Sequence, residues 1–408
     1  LDLFDAPVLA DAVEHGGTCT HGEFPLGRGR HYVPGMSDDE TTVTKSSRDP
    51  EELRARLRDW LAGRVDDAGA SVGAVSSPEA TGMSSESLFF DAAWNSGGGS
   101  FVARLAPDPA DVPVFPTYDL ELQYRVIETV GRHSDVPVPP LRWLETDTDA
   151  LGVPFFVMER VEGRVPPDIP PYAMGSWVTE LGPDGLAALE RATVETVAGI
   201  HGIDPATVDV DFLEVDLPGA TPLHRHMENQ RRFYEWVCEG AGRRYPTIER
   251  TFAWLEQRWP EESPAVISWG DARIGNCMYA NDGTHPVAVL DWEMAALAPR
   301  EIDLGWMCFL HSFFEYLLGQ GGIETLPDLL RPDAVAATYR ELTGVDVGDL
   351  RWAQVYAGLR HAIVMARVHA RQVHFDGAEW PDDPDDTFLF APLLQSMLDG
   401  TAWDRGAA

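Results

Sequence analysis

The sequence predicts an α+β protein of two unequal lobes, a small antiparallel-sheet lobe followed by a larger, mostly helical one. Three observations carry that expectation. Strand-like runs crowd into residues 87–163, two of them joined by a tight "NSGGGS" turn. Helical periodicity dominates residues 183–260 and 301–408. One strand–turn–strand unit, residues 265–292, interrupts the helices. A chain of 408 residues is also long for one ordinary compact core. The change of character near residue 160 gives an expected first lobe over 49–160 and a second over 161–408.

Residues 1–48 lack periodicity and read as a partly disordered extension, with Met36 of "MSDDETT" resembling a natural start. The first residues carry acids where a secretory signal would carry bases. No run approaches the roughly 20 apolar residues of a membrane helix, so a cytoplasmic protein is expected. Asp49 is placed to cap a helix opening at Pro50, with Leu53, Leu57, Trp60 and Leu61 on one face. "SLFFDAAW" and "SFVARLA" then form a hairpin, and "TYDLELQYRVIETVGRH" a helix. "LRWLETD" and "PFFVMERVEG" follow as strands, the second turning at Gly163.

The net charge of −35, from 31 basic and 66 acidic residues, argues against nucleic acid or an anionic membrane as partner. A solvated acidic surface is the simplest reading. The acidic "WPDDPDDTF" near residue 380 belongs to it, although such a surface also admits a cationic small molecule. The four cysteines form no CxxC pair and read as reduced thiols rather than a disulfide frame or zinc site. His224 and His226 form an HxH with no evident third ligand.

The chemistry concentrates in "SWGDARIGN", residues 268–276, and "VAVLDWE", residues 287–293. Asn276 follows Asp271 by five residues, and Asp291 follows Asn276 by fifteen. The intervening "NDGTHP" turn folds Asp291 back beside Asn276. An amide oxygen and a carboxylate there suit Mg²⁺, which takes few protein ligands and keeps its waters. Asp271 is left to accept a proton from a hydroxyl. That division of labour is the one phosphoryl transfer uses. The simpler alternative is a surface hairpin with incidental acids.

The chain resembles the aminoglycoside phosphotransferase and choline kinase-like superfamily, in its actinobacterial and acyl-CoA-dehydrogenase-associated branch. The resemblance runs over roughly residues 50–375. It rests on Trp269, Gly270, Asp271 and Asn276, then Asp291, Trp292 and Glu293, then "APREIDLGWM". It implies a protein-kinase-like fold, with ATP and Mg²⁺ in the cleft and a small-molecule hydroxyl as acceptor. Asp271 would be the catalytic base, and Arg273 a cation stabilising the transferred phosphoryl group. Asn276 and Asp291 would hold Mg²⁺, and Asp303 would buttress the loop. Trp269 replaces the usual His of that loop.

On the nucleotide side, the family's strand lysine is missing. The sole lysine, Lys45, precedes every strand, so Arg104 is the phosphate-binding candidate. Glu121 or Gln123 is the expected helix partner of Arg104. The turn over residues 80–87, with Gly82, Ser84 and Ser85, is expected to cover the phosphates. "NSGGGS" is read as a hairpin turn instead. Glu159 and Val161 are expected beside the adenine. His201 reads as structural, and the aromatic run from Trp306 to Leu318 as a core helix that also suits the wall of an acceptor pocket. The function expected is an ATP- and Mg²⁺-dependent small-molecule kinase acting on an antibiotic-like or metabolic hydroxyl. The alternative is a nucleotide-binding protein that no longer transfers phosphate.

Overall fold

A computed structural model describes residues 48–77, 85–108 and 111–406. The expected extension therefore lies almost wholly outside the described residues, as do Gly82 and Ser84 of the candidate phosphate turn. The order of elements is the one expected, a five-stranded antiparallel sheet and then a mainly helical region.

Helix α1 (Pro50–Arg64) begins as predicted, Asp49 accepting from the backbone N–H groups of Glu51 and Glu52. Its Leu53, Leu57 and Leu61 are buried against the sheet. The sheet contains β1 (Ser71–Val72), β2 (Glu86–Trp94), β3 (Gly97–Leu105), β4 (Leu141–Glu145) and β5 (Phe155–Glu159), in the order β1-β2-β3-β5-β4. The glycine-rich run is the β2–β3 hairpin turn, with its three glycines already inside β3. Two-residue β1 has no periodic signature and was not expected.

The sheet has a core on each face, which explains why β5 is an unbroken apolar run. Phe155 and Val157 join the cluster under α1, while Phe156 and Met158 join the larger core of the helical region. The same period of two sorts β3. Phe101, Ala103 and Leu105 face α1, and Val102 faces the other way. Arg104 shares Val102's face and is thereby aimed towards the larger lobe. Helix α2 (Leu120–His133), capped by Asp119, packs on that side.

The larger lobe adds α3 (Gly182–His201), α4 (Pro222–Ala241) and α5 (Pro246–Gln257). Four short strands follow: β6 (Ala265–Ser268), β7 (Cys277–Tyr279), β8 (Pro286–Val289) and β9 (Ala296–Pro299). β7 and β8 are the expected hairpin, and β6 pairs with β9, which the sequence pattern did not reveal. Then come α6 (Glu301–Gln320), α7 (Pro332–Thr343), α8 (Arg351–Phe375) and α9 (Ala391–Asp399). α6 and α8 are buried on most sides and pack against each other. Cys238, Cys277 and Cys308 are free and buried, as expected, and Cys19 is outside the described residues. No helix among the described residues is long and apolar enough to cross a membrane.

Candidate functional site

The site is organised by Asp303, a buried carboxylate in the first turn of α6, where the helix dipole favours negative charge. One of its oxygens accepts from the Ser268 hydroxyl at 2.8 Å and the Gly270 N–H at 2.9 Å. The other accepts from the Trp269 N–H at 2.8 Å and from His201 Nε2 at 3.0 Å. Burial alone would raise this carboxyl, but the bonds from His201, Gly270 and Ser268 outweigh it and hold it below the usual aspartate value. His201, bonded also to the Tyr339 hydroxyl, is thus structural, as predicted. Gly270 adopts φ +89°, and a Cβ there would collide with the Met294 carbonyl, so only glycine fits.

Beyond this anchor, Asp271 is presented with its Oδ1 accepting from the Trp306 indole N–H at 2.6 Å. The Arg273 Nε lies 3.2 Å from the same oxygen. Arg273 Nη1 reaches both oxygens of Asp168, at 2.6 and 2.7 Å. Burial opposes the charge on Arg273, but Asp168 and Asp271 outweigh it and raise its pKa. Asn276 donates its amide N–H to the Asp271 carbonyl at 3.1 Å. The Asn276 carbonyl accepts from Leu290 N–H at 2.9 Å, fixing the start of the next candidate, Asp291. Asp291 has φ +62°, in the left-handed region that favours glycine. The Trp269 indole donates to the Leu290 carbonyl at 2.9 Å, bracing the loop against the β8 end.

The smaller lobe meets this arrangement through Arg104. Its Nη2 donates to Asp291 Oδ1 at 2.9 Å and lies 4.0 Å from Glu293. Its Nη1 donates to Ser87 Oγ at 3.0 Å, across the β2–β3 register pair. Ser85, also buried, donates to Glu293 at 3.3 Å. The expected helix partner is replaced. Gln123 is buried on α2 and Glu121 is exposed, yet Arg104 bonds across the cleft to Asp291 instead. Glu159 and Val161 stand apart from this cluster. Glu159 pairs in register with Phe101, three residues from Arg104, and its side chain pairs with Arg142. Its backbone N–H donates to Pro140.

The donor set fits Mg²⁺ by its chemistry. The Asp291 carboxylate and the Asn276 amide oxygen are hard ligands, and two protein ligands are what this ion commonly takes. Among the described residues no group of three or more His, Cys, Asp or Glu side chains forms a metal cage, so the HxH holds no such site. His226 bonds the Tyr356 hydroxyl at 2.6 Å and His224 the Thr221 hydroxyl at 2.7 Å.

Sequence reasoning missed Asp168, Arg360 and the contact of Trp306 with Asp271. Asp168 and Trp306 meet the loop from more than 30 residues away and leave no local pattern. Arg360 did leave one, a lone arginine within the apolar helix "YAGLRHAIVMA". It is buried, donates to the Gly270 carbonyl at 2.9 Å, and lies over the Trp306 ring at 4.5 Å.

Comparison with known proteins bears on the family and the fold. The pattern of the Phosphotransferase enzyme family matches residues 88–341. The chain is 27% identical over 223 residues to Probable acyl-CoA dehydrogenase IBR3 of Arabidopsis thaliana, covering 52% of this chain and 25% of that protein. It is 22% identical over 306 residues to Acyl-CoA dehydrogenase family member 11 of Homo sapiens, covering 74% and 36%. The match therefore spans only about a quarter to a third of these relatives. A crystal structure of a provisionally assigned aminoglycoside phosphotransferase from Ralstonia eutropha JMP134 superposes with a TM-score of 0.58 at 22% identity. It covers 86% of this chain and 98% of that one, and shows that the two share a fold.

Proposed function

Because the chain belongs to the Phosphotransferase enzyme family, we propose that it is an ATP- and Mg²⁺-dependent kinase acting on the hydroxyl of a small molecule. One observation carries the reading. Arg104, the phosphate-binding candidate on β3, lies 2.9 Å from Asp291, the metal-binding candidate. The two sit at the junction of the lobes, beside the loop that bears Asp271 and Asn276.

In this reading Asp271 orients the acceptor hydroxyl and takes its proton. The acceptor oxygen forms a bond to the γ-phosphorus as the bond from that phosphorus to the bridging oxygen breaks, and ADP leaves. Asn276 and Asp291 would hold Mg²⁺, which supplies charge neutralisation at the phosphates. Arg104 pairs the phosphates with its planar fork. Ser85 stands at the edge of the phosphate turn, and Glu159 and Val161 border the adenine side. Arg273 adds positive charge beside Asp271, shared with Asp168. Use of ATP makes the cytoplasm the expected place of action. The acceptor is an aminoglycoside-like or metabolic hydroxyl compound, since this fold serves many acceptors.

The test is thermal denaturation with ATP alone, Mg²⁺ alone and both. Binding to the native state raises stability by RT ln(1 + [L]/Kd). A shift that needs both, lost in Asp291→Ala, is expected. A folded protein that shifts under none of the three conditions would refute the reading. The second reading, a nucleotide binder without turnover, is favoured by Trp269 and Arg104 standing where the family has His and Lys. It predicts the same shift with no ADP release against a panel of hydroxyl acceptors.

A further inference from the structure

Resting on the reading of Asp271 as the base, we propose that Trp306 is a positioning residue that holds Asp271 by Oδ1 and leaves Oδ2 to take the acceptor's proton. An aspartate carboxyl turns easily about its last torsion, whose preference is broad and two-fold. Untethered, either oxygen would face the acceptor. Here Oδ1 accepts from the Trp306 indole at 2.6 Å and lies 3.2 Å from Arg273 Nε. An indole N–H is a donor only, so it fixes an oxygen without competing for the proton.

The indole is itself held. Trp306 is 4% exposed, with the Arg360 guanidinium over its face at 4.5 Å and His361 edge-on at 6.2 Å. Arg360 also donates to the Gly270 carbonyl, so one side chain steadies both the loop and the tryptophan. Trp306 lies three residues after Asp303, hence on the same face of α6. Asp303 fixes the backbone of residues 269 and 270, and Trp306 fixes the side chain of the residue that follows. Simple core packing explains the burial of the ring. It does not explain why the indole N–H is spent on the acidic side chain of the loop.

The experiment uses the full chain labelled with ¹⁵N-tryptophan, which gives up to 13 indole N–H resonances. The resonance missing from Trp306→Phe is that of Trp306. It is expected far downfield in the proton dimension, moving upfield in Asp271→Asn. In parallel, Mg²⁺-dependent ATP hydrolysis with water as acceptor should fall about 10- to 100-fold in kcat in Trp306→Phe. That is the rate equivalent of losing a hydrogen bond to a charged group. KM for ATP and the affinity for Mg²⁺·AMP-PNP should be unchanged, which also shows that the variant is folded. An indole resonance indifferent to Asp271→Asn, or native kcat in Trp306→Phe, overturns the proposal. If Trp306→Phe does not fold, the native and Asp271→Asn spectra still decide the contact. Native turnover in Asp271→Asn would instead overturn the reading of Asp271 as base.

Discussion

The two ends of the site are built differently. The Asp271 end is rigid from below. Asp303 accepts four hydrogen bonds, and Trp306, Arg273 and Asn276 all bond to Asp271 within the larger lobe. The Arg104 end is joined to it across the lobes by an ion pair to Asp291, with Glu293 at the limit of contact. The bonds to Asp271 all come from within the larger lobe, two of them from the buried Trp306 and Asn276. The Arg104–Asp291 pair is mostly buried, so desolvation offsets much of its attraction and it can exchange for a better partner. On the proposed reading, Asp271 is preorganised as the base, whereas Arg104 would exchange Asp291 for phosphates when they arrive.

The largest expected effect breaks the rigid end alone. Asp271→Ala should lower turnover by roughly 10²- to 10⁴-fold, the usual worth of a positioned base. Nucleotide affinity should stay near native. Steady-state kinetics beside calorimetric titration with Mg²⁺·AMP-PNP separates the two, and matched losses in both would show that the ends are not independent.

The Arg104 end should respond the opposite way. Arg104→Met removes charged hydrogen bonds and should weaken nucleotide binding by about 10- to 100-fold. The Trp306 indole resonance should not move. Arg104→Lys should recover only part, since an ammonium lacks the planar fork. Full recovery would mean that charge alone matters there.

The smallest effect concerns the helices beneath the rigid end. Burial pushes the His226 and His361 imidazoles down to about 3. In the unfolded chain they take up protons near pH 6.5. The folded values are depressed, so their contribution is complete above pH 6.5 and is lost as pH falls towards 3. Each should cost about 1.4 kcal/mol per pH unit below that point. Urea midpoints at pH 7, 6 and 5 should fall, and His361→Phe should flatten the slope. An unchanged slope would show that His361 is not protonated on unfolding in this range.

Most of the fold was legible because its signals are local. Asp49 caps its helix where the sequence places it, and the two hairpins follow from their turn residues. β1 and β9 were not legible. One is two residues long, and the other, "ALAP", gains its strand state only by pairing with β6. In the site, Asp271, Asn276 and Asp291 were readable from spacing, since a loop and a hairpin bring them together. The partners of Arg104 were not. Glu121 or Gln123 was expected, and Arg104 bonds instead to a side chain 187 residues away. Asp168 and the contact of Trp306 with Asp271 escaped for the same reason, since both meet the loop through packing over long sequence distances, whereas Arg360 left a readable sign as a lone arginine in an apolar helix.

Arg104 has one further consequence, for chemical labelling. Nucleotide analogues that carry an acylating group mark the phosphate-binding amine of many ATP sites. A guanidinium such as that of Arg104 is a poor target for such reagents, and the only lysine, Lys45, lies outside the described residues. No lysine occurs among the described residues, so on the proposed reading amine capture would find no target among them even with ATP bound. Lysine acetylation likewise has no target among the described residues, so on that reading control of Arg104 would have to work by other means.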